Sequence, residues 1–188
     1  MEAFVPQWGQ CTNDIKISTF DDQQSATATE NKDSEHAPTV RGPVNLPDDA
    51  TAEWHFLLDQ AKGLVLIGLE QSHLSLGAPF RKPENKDAVW YYTSDGILRN
   101  GARQVGQKVA AAQSGDMIIM KLENRKLIFF LNGELLESIP DIHGGALSCS
   151  VQMHRKGDRI TLVKRVVITL PGLFFPSPPG AFGVEIIR

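Results

Sequence analysis

The dipeptide Asn132-Gly133 restricts this chain more than any other feature. It stands between two apolar runs, Lys126–Leu131 and Glu134–Ile139. A type I′ turn needs two successive residues that tolerate positive φ. Asn-Gly meets that need, so the two runs are expected to fold back on each other as a hairpin. Met117–Leu122 is a third apolar run, opened by Gly115-Asp116 and followed by the polar turn Glu123-Asn124-Arg125. It is too short for an ordinary helix. Lys126–Leu131 is apolar on both of its faces, which predicts a strand buried on both sides. The centre of the chain is therefore an antiparallel meander running from Gly115 to Ile139.

The period-2 signal recurs on either side. Glu53–Asp59 sets Trp54, Phe56 and Leu58 on one face and Glu53, His55 and Asp59 on the other, the pattern of a half-buried strand. Ile15–Phe20, Leu64–Leu69 and Ala88–Tyr92 also read as strands. Leu147–Met153 puts Cys149, Val151 and Met153 inward and Ser148, Ser150 and Gln152 outward. Arg159–Leu170 is one long strand with a break, or two strands. Trp8 and Phe4 predict a terminal strand or an aromatic plug. The polar stretch 21–38 reads as a long loop with at most a short strand near 26–29, and with Ser25, Thr27, Thr29 and Ser34 in solvent. The connection from Glu70 to Lys86 holds several apolar residues and is expected to be a structured loop. The class is all-β.

With 188 residues the chain suits one domain with a full core. A net charge of −3 gives no electrostatic case for nucleic acid. Cys11 and Cys149 leave a disulfide open, but a domain of this size does not require one, and reduced thiols are expected. The opening MEAFVPQWGQ has neither the basic nor the apolar part of a signal peptide. No apolar run approaches the roughly 20 residues that span a bilayer, and there is no Asn-x-Ser/Thr sequon. The cytoplasm or nucleus is the expected location, without a membrane partner. The five histidines show no metal-ligand spacing, and neither cysteine belongs to a Cys-x-x-Cys. Phosphate-cradling glycine loops, nucleophile elbows and paired carboxylates on one strand face are also missing. Glu123 and Glu134 sit at turns. No catalysis, metal or cofactor is expected.

Several of these pieces together are similar to the SPRY family of β-sandwich domains. The central pattern is Gly-Asp, apolar strand, short polar turn, aromatic strand, Asn-Gly. Thr39-Val40-Arg41-Gly42 resembles an early arginine-glycine segment of that family. The run Trp90 to Gly96, followed by Asn100-Gly101, resembles its tryptophan strand and Asp-Gly turn. Gly157-Asp158-Arg159-Ile160 resembles the turn into its last strand. The pieces come in the family's order and cover roughly Trp8 to Val163. One departure is Tyr91, which fills a place where the family often has glycine. The resemblance implies a two-sheet antiparallel β-sandwich, jelly-roll or concanavalin-like, of SPRY type. It also implies a function. Family members bind peptides or protein surfaces with loops at one end, commonly as adaptors or scaffolding parts of larger proteins, including ubiquitin ligases. On this chain the corresponding candidates are Arg41, Phe80, Arg81, Tyr92, His154 and Arg155.

Beyond Leu170 the sequence changes to PGLFFPSPPGAFGVEIIR. Four prolines and three glycines over 171–183 exclude a regular element across 171–180, yet Leu173, Phe174, Phe175 and Phe182 are strongly apolar. The division expected is a sandwich over 1–170 and a tail over 171–188 that packs on it or docks a partner. The leading expectation is a monomeric, non-catalytic domain that recognises a protein or peptide, alone or as part of a larger protein or complex. Its rivals are a lectin-like jelly roll that binds glycan and a structural module of a larger assembly.

Overall fold

The computed structural model describes residues 7–21, 23–32, 36–42, 46 and 50–168. Phe4, Ser34 and the tail over 171–188 lie outside them. Fourteen strands follow in order: β1 (Gln10–Cys11), β2 (Ile15–Phe20), β3 (Gln23–Ala28), β4 (Thr39–Arg41), β5 (Thr51–Gln60), β6 (Val65–Gln71), β7 (Val89–Thr93), β8 (Ile97–Asn100), β9 (Arg103–Val105), β10 (Met117–Glu123), β11 (Lys126–Leu131), β12 (Glu134–Ile139), β13 (Leu147–Met153) and β14 (Arg159–Ile168). The helical content among the described residues is a single 3-10 turn, Pro83–Asn85.

The strands form two seven-stranded antiparallel sheets. The first has the order β1-β4-β13-β6-β7-β8-β9 and the second β12-β11-β10-β5-β14-β3-β2. The all-β sandwich expected from the sequence is the observed fold. The meander stands as expected, with Asn132 and Gly133 at φ 50° and 88° in the turn between β11 and β12. The first turn uses Asn124 and Arg125, both at positive φ. The core fills the space between the sheets. Trp54, Phe56 and Leu58 of β5 meet Val65, Ile67 and Leu69 of β6, with Trp90, Tyr92, Phe129, Val151 and Met153 beside them. Trp8 closes this core as an aromatic plug, stacked on Phe56 at 6.1 Å, and its indole N–H donates to the Gln24 carbonyl.

Two local expectations change, and a third is settled in favour of one of its alternatives. The first half of the supposed loop over 21–38 is β3, paired with β2 and β14. Ala26 and Ala28 point into the core from it. Alanine gives a weak hydropathy signal, but its small side chain suits a strand that lies close to the facing sheet. Ser25 is therefore no loop residue; it shares a hydrogen bond with Thr161 across the sheet. β14 is one continuous strand whose predicted break is a pair of register shifts against β5. Finally, β11 is not buried on both sides. Leu127, Phe129 and Leu131 are buried, whereas Ile128 and Phe130 are only half-buried on the outer face. Both cysteines are free thiols, Cys11 exposed and Cys149 buried.

Candidate functional site

The outer face of the first sheet is where the sequence and structure diverge most. Its outward residues include Ser148, Ser150 and Gln152 of β13, Glu70 of β6 and Arg41 of β4, and all of them are buried. The connection between β6 and β7, residues 72–88, lies across them. It is held from beneath by polar side chains. Gln152 accepts from the Phe80 N–H at 3.1 Å and donates to the Ala78 carbonyl at 2.7 Å. Ser148 meets Ser72 at 2.9 Å. Arg41 donates from Nε to Glu70 at 2.7 Å and from its terminal nitrogen to the Leu74 carbonyl at 2.9 Å. Burial pushes the Glu70 carboxyl above its ordinary range, and the hydrogen bond and charge of Arg41 oppose that push. A small second core forms under the connection from Leu66, Phe80, Val89 and Tyr91.

This geometry corrects the sequence reading of three candidates. Arg41 is 7% exposed and serves as a brace for the connection. Phe80 is 1% exposed and packs on Tyr91 with ring centroids 5.2 Å apart. Tyr92 points into the main core against Phe129, with its hydroxyl donating to the Ala110 carbonyl at 2.8 Å. None of the three presents a surface to a partner. Tyr91 points to the opposite face of β7, and it is covered as well. Its hydroxyl donates to the Gly101 carbonyl at 2.8 Å. Burial raises both phenols to about 12. Tyr91 fits its place because Gly68 lies directly opposite on β6. A Cβ at Gly68 would collide with the Trp90 carbonyl oxygen and with Tyr91.

The remaining candidates gather at one end of this face. Arg81 is half-buried where the connection leaves Phe80. His154 and Arg155 are half-buried and exposed in the turn between β13 and β14. Asp158 builds that turn. Its buried carboxylate accepts from the N–H groups of His154 and Arg155 and from those of Lys62 and Gly63 on the neighbouring loop, at 2.7 to 3.1 Å. Lys32 joins the cluster, its N–H donating to the His154 carbonyl. Burial lowers the His154 imidazole to about 4, and the positive charges of Lys32, Arg81 and Arg155 push it the same way. The inner nitrogens of Arg81, of Arg99 on β8 and of His154 carry no hydrogen bond among the described residues. Both arginines act on the Tyr91 phenol. Lys32 escaped the sequence reading, because it belongs to no motif and only the fold brings it to this end.

The arrangement is a basic loop end set on a rigid, buried support. Among the described residues no group of His, Cys, Asp and Glu could hold a metal ion, and no helix is long and apolar enough to cross a membrane.

The architecture is a SPRY-like β-sandwich. The SPRY domain of human HERC1 matches it with a TM-score of 0.62 at 15% identity, over 81% of this chain and 97% of that domain. A human SPRY domain gives 0.58 at 22% identity, over 79% and 95%. A Bacillus subtilis protein of unknown function with a galectin-like fold gives 0.57 at 12% identity, over 82% and 86%. Identities this low carry the fold alone. No protein-family model matches the chain, and no curated protein matches it.

Proposed function

We propose that this chain is a protein-recognition domain, without catalysis of its own, that binds an acidic segment of a partner at the loop end formed by Arg81, His154 and Arg155. It acts as an adaptor module in the cytoplasm or nucleus. The observation that carries this reading is the convergence there of Lys32, Arg81 and Arg155 around His154. Carboxylates and phosphates answer such a cluster, because arginine pairs with them through two parallel N–H donors. The SPRY-like fold adds a family-level expectation of protein binding. Against the glycan reading stands the burial of all three tryptophans, Trp8, Trp54 and Trp90, which leaves no indole face for a sugar ring.

The test is to pan a random-peptide display library against the full chain and against an Arg81→Glu, Arg155→Glu variant with an unchanged melting temperature. Enriched peptides are expected to be rich in Asp and Glu. Their affinity should fall by about tenfold or more in the variant and weaken with added salt. Neutral or basic peptides, or equal affinity for both proteins, would overturn the loop-end reading. A glycan array bound by the full chain, with no peptide enriched, would favour the lectin reading.

A further inference from the structure

The outer face of the second sheet is apolar where β5, β10, β11 and β12 lie side by side. Met117 stands opposite Leu57, Ile119 opposite Phe130, and Phe130 opposite Leu135. Ile128 extends the patch along β11. These side chains are half-buried, apart from Leu135, which is 64% exposed. Polar relief comes from the Glu53–His55 pair and from Lys121, 3.0 Å from Glu123. A contiguous apolar patch on a soluble sandwich marks a contact surface.

We infer that this face is covered by the chain's own C-terminal segment, residues 171–188. The two are close along the chain. β14 ends beside β5, with Ile168 opposite Thr51. From β14 to β12 is four strand steps, about 19 Å, whereas 18 residues can extend to about 60 Å. The segment's chemistry matches the patch. It carries Leu173, Phe174, Phe175, Phe182, Ile186 and Ile187, and its charged side chains are Glu185 and Arg188 alone. Pro171, Pro176, Pro178 and Pro179 remove backbone donors, so the segment suits lying across a face better than pairing at a sheet edge. A tether also gives it an effective concentration on the order of millimolar, ahead of a second copy at ordinary protein concentrations.

The experiment places a photo-reactive benzoylphenylalanine at Phe130 of the full chain, irradiates it, and maps the cross-links by mass spectrometry. The expected product is a cross-link within one chain, from position 130 to residues 171–188, in a protein that is monomeric by light scattering. In a Phe174→Ser, Phe175→Ser variant of the same chain the yield should drop about tenfold or more, since those rings would supply much of the buried apolar area. If labelling at 130 unfolds the chain, the same probe at Leu135, already exposed, gives the reading. Cross-links between two copies, cross-links confined to residues outside 171–188, or an unchanged yield in the variant would each overturn the inference. The loop-end proposal stands or falls separately, because none of its residues lies on this face.

Discussion

The two outer faces of this sandwich invert the usual expectation. The face of the first sheet carries Ser148, Ser150, Gln152, Glu70 and Arg41, and it is buried. The face of the second carries Leu57, Ile119, Ile128 and Phe130, and the described residues leave it half-open. Polarity therefore does not decide which face the described residues cover. On the first sheet, a connection rich in backbone carbonyls and N–H groups is the cover, and a polar face offers it matching partners. A buried loop must satisfy its backbone groups, and Arg41 and Gln152 meet much of that need. An apolar face could bury side chains against such a loop but could not satisfy it.

The comparison breaks most readily at Arg41. Arg41→Ala would leave the Glu70 charge buried and the Leu74 carbonyl without its donor. A loss of about 4 kcal/mol in urea-measured stability is expected. The pair replacement Arg41→Met with Glu70→Leu should recover a good part of it; no recovery would mean that the Leu74 bond matters more than the ion pair. Next comes Asp158→Ala, which would orphan four backbone donors of two loops. The expected loss is about 3 kcal/mol, with Asp158→Asn losing less. A loss near zero would show that the basic turn holds its shape without its carboxylate.

A third test sharpens the contrast by pH. The folded His154 has a pKa of about 4, below its ordinary 6.5. The unfolded chain thus binds more protons between those values, and stability must fall as pH drops from 6.5 towards 4. His154→Gln should flatten that part of the curve in denaturation measured across the window. An acidic peptide at the loop end would raise the imidazole's pKa, so its affinity should increase as pH falls through the same range. The smallest effect is expected on the other face. Leu135→Gln should lower stability by about 1 kcal/mol, because the segment inferred to cover this face would bury part of a side chain that is otherwise 64% exposed. A loss below about 0.5 kcal/mol in thermal unfolding would mean that Leu135 stays solvated.

Much of the fold was legible in the residues. Asn132-Gly133 set a hairpin because few other pairs accept positive φ twice in succession. Strict alternation at Trp54, Phe56 and Leu58 fixed which face of β5 is inward. β3 was legible only in part, as a short strand near 26–29, because alanines and hydroxyl residues look alike in a loop and in a closely packed strand. Of the six candidate site residues, Arg81, His154 and Arg155 come together at the loop end, while Arg41, Phe80 and Tyr92 serve the interior.

By itself the sequence determined the turns, the strands and the residues that share each face, since backbone sterics and the period of two act over a few residues. Only the tertiary structure decided what lies against those faces. Burial of Gln152 depends on Phe80 and Ala78, some seventy positions away in the chain, and the basic end depends on Lys32, Arg81 and His154 meeting from three separate segments. Local patterns carry no record of such long-range contacts, because each is made by the path of the chain and not by the residues beside it.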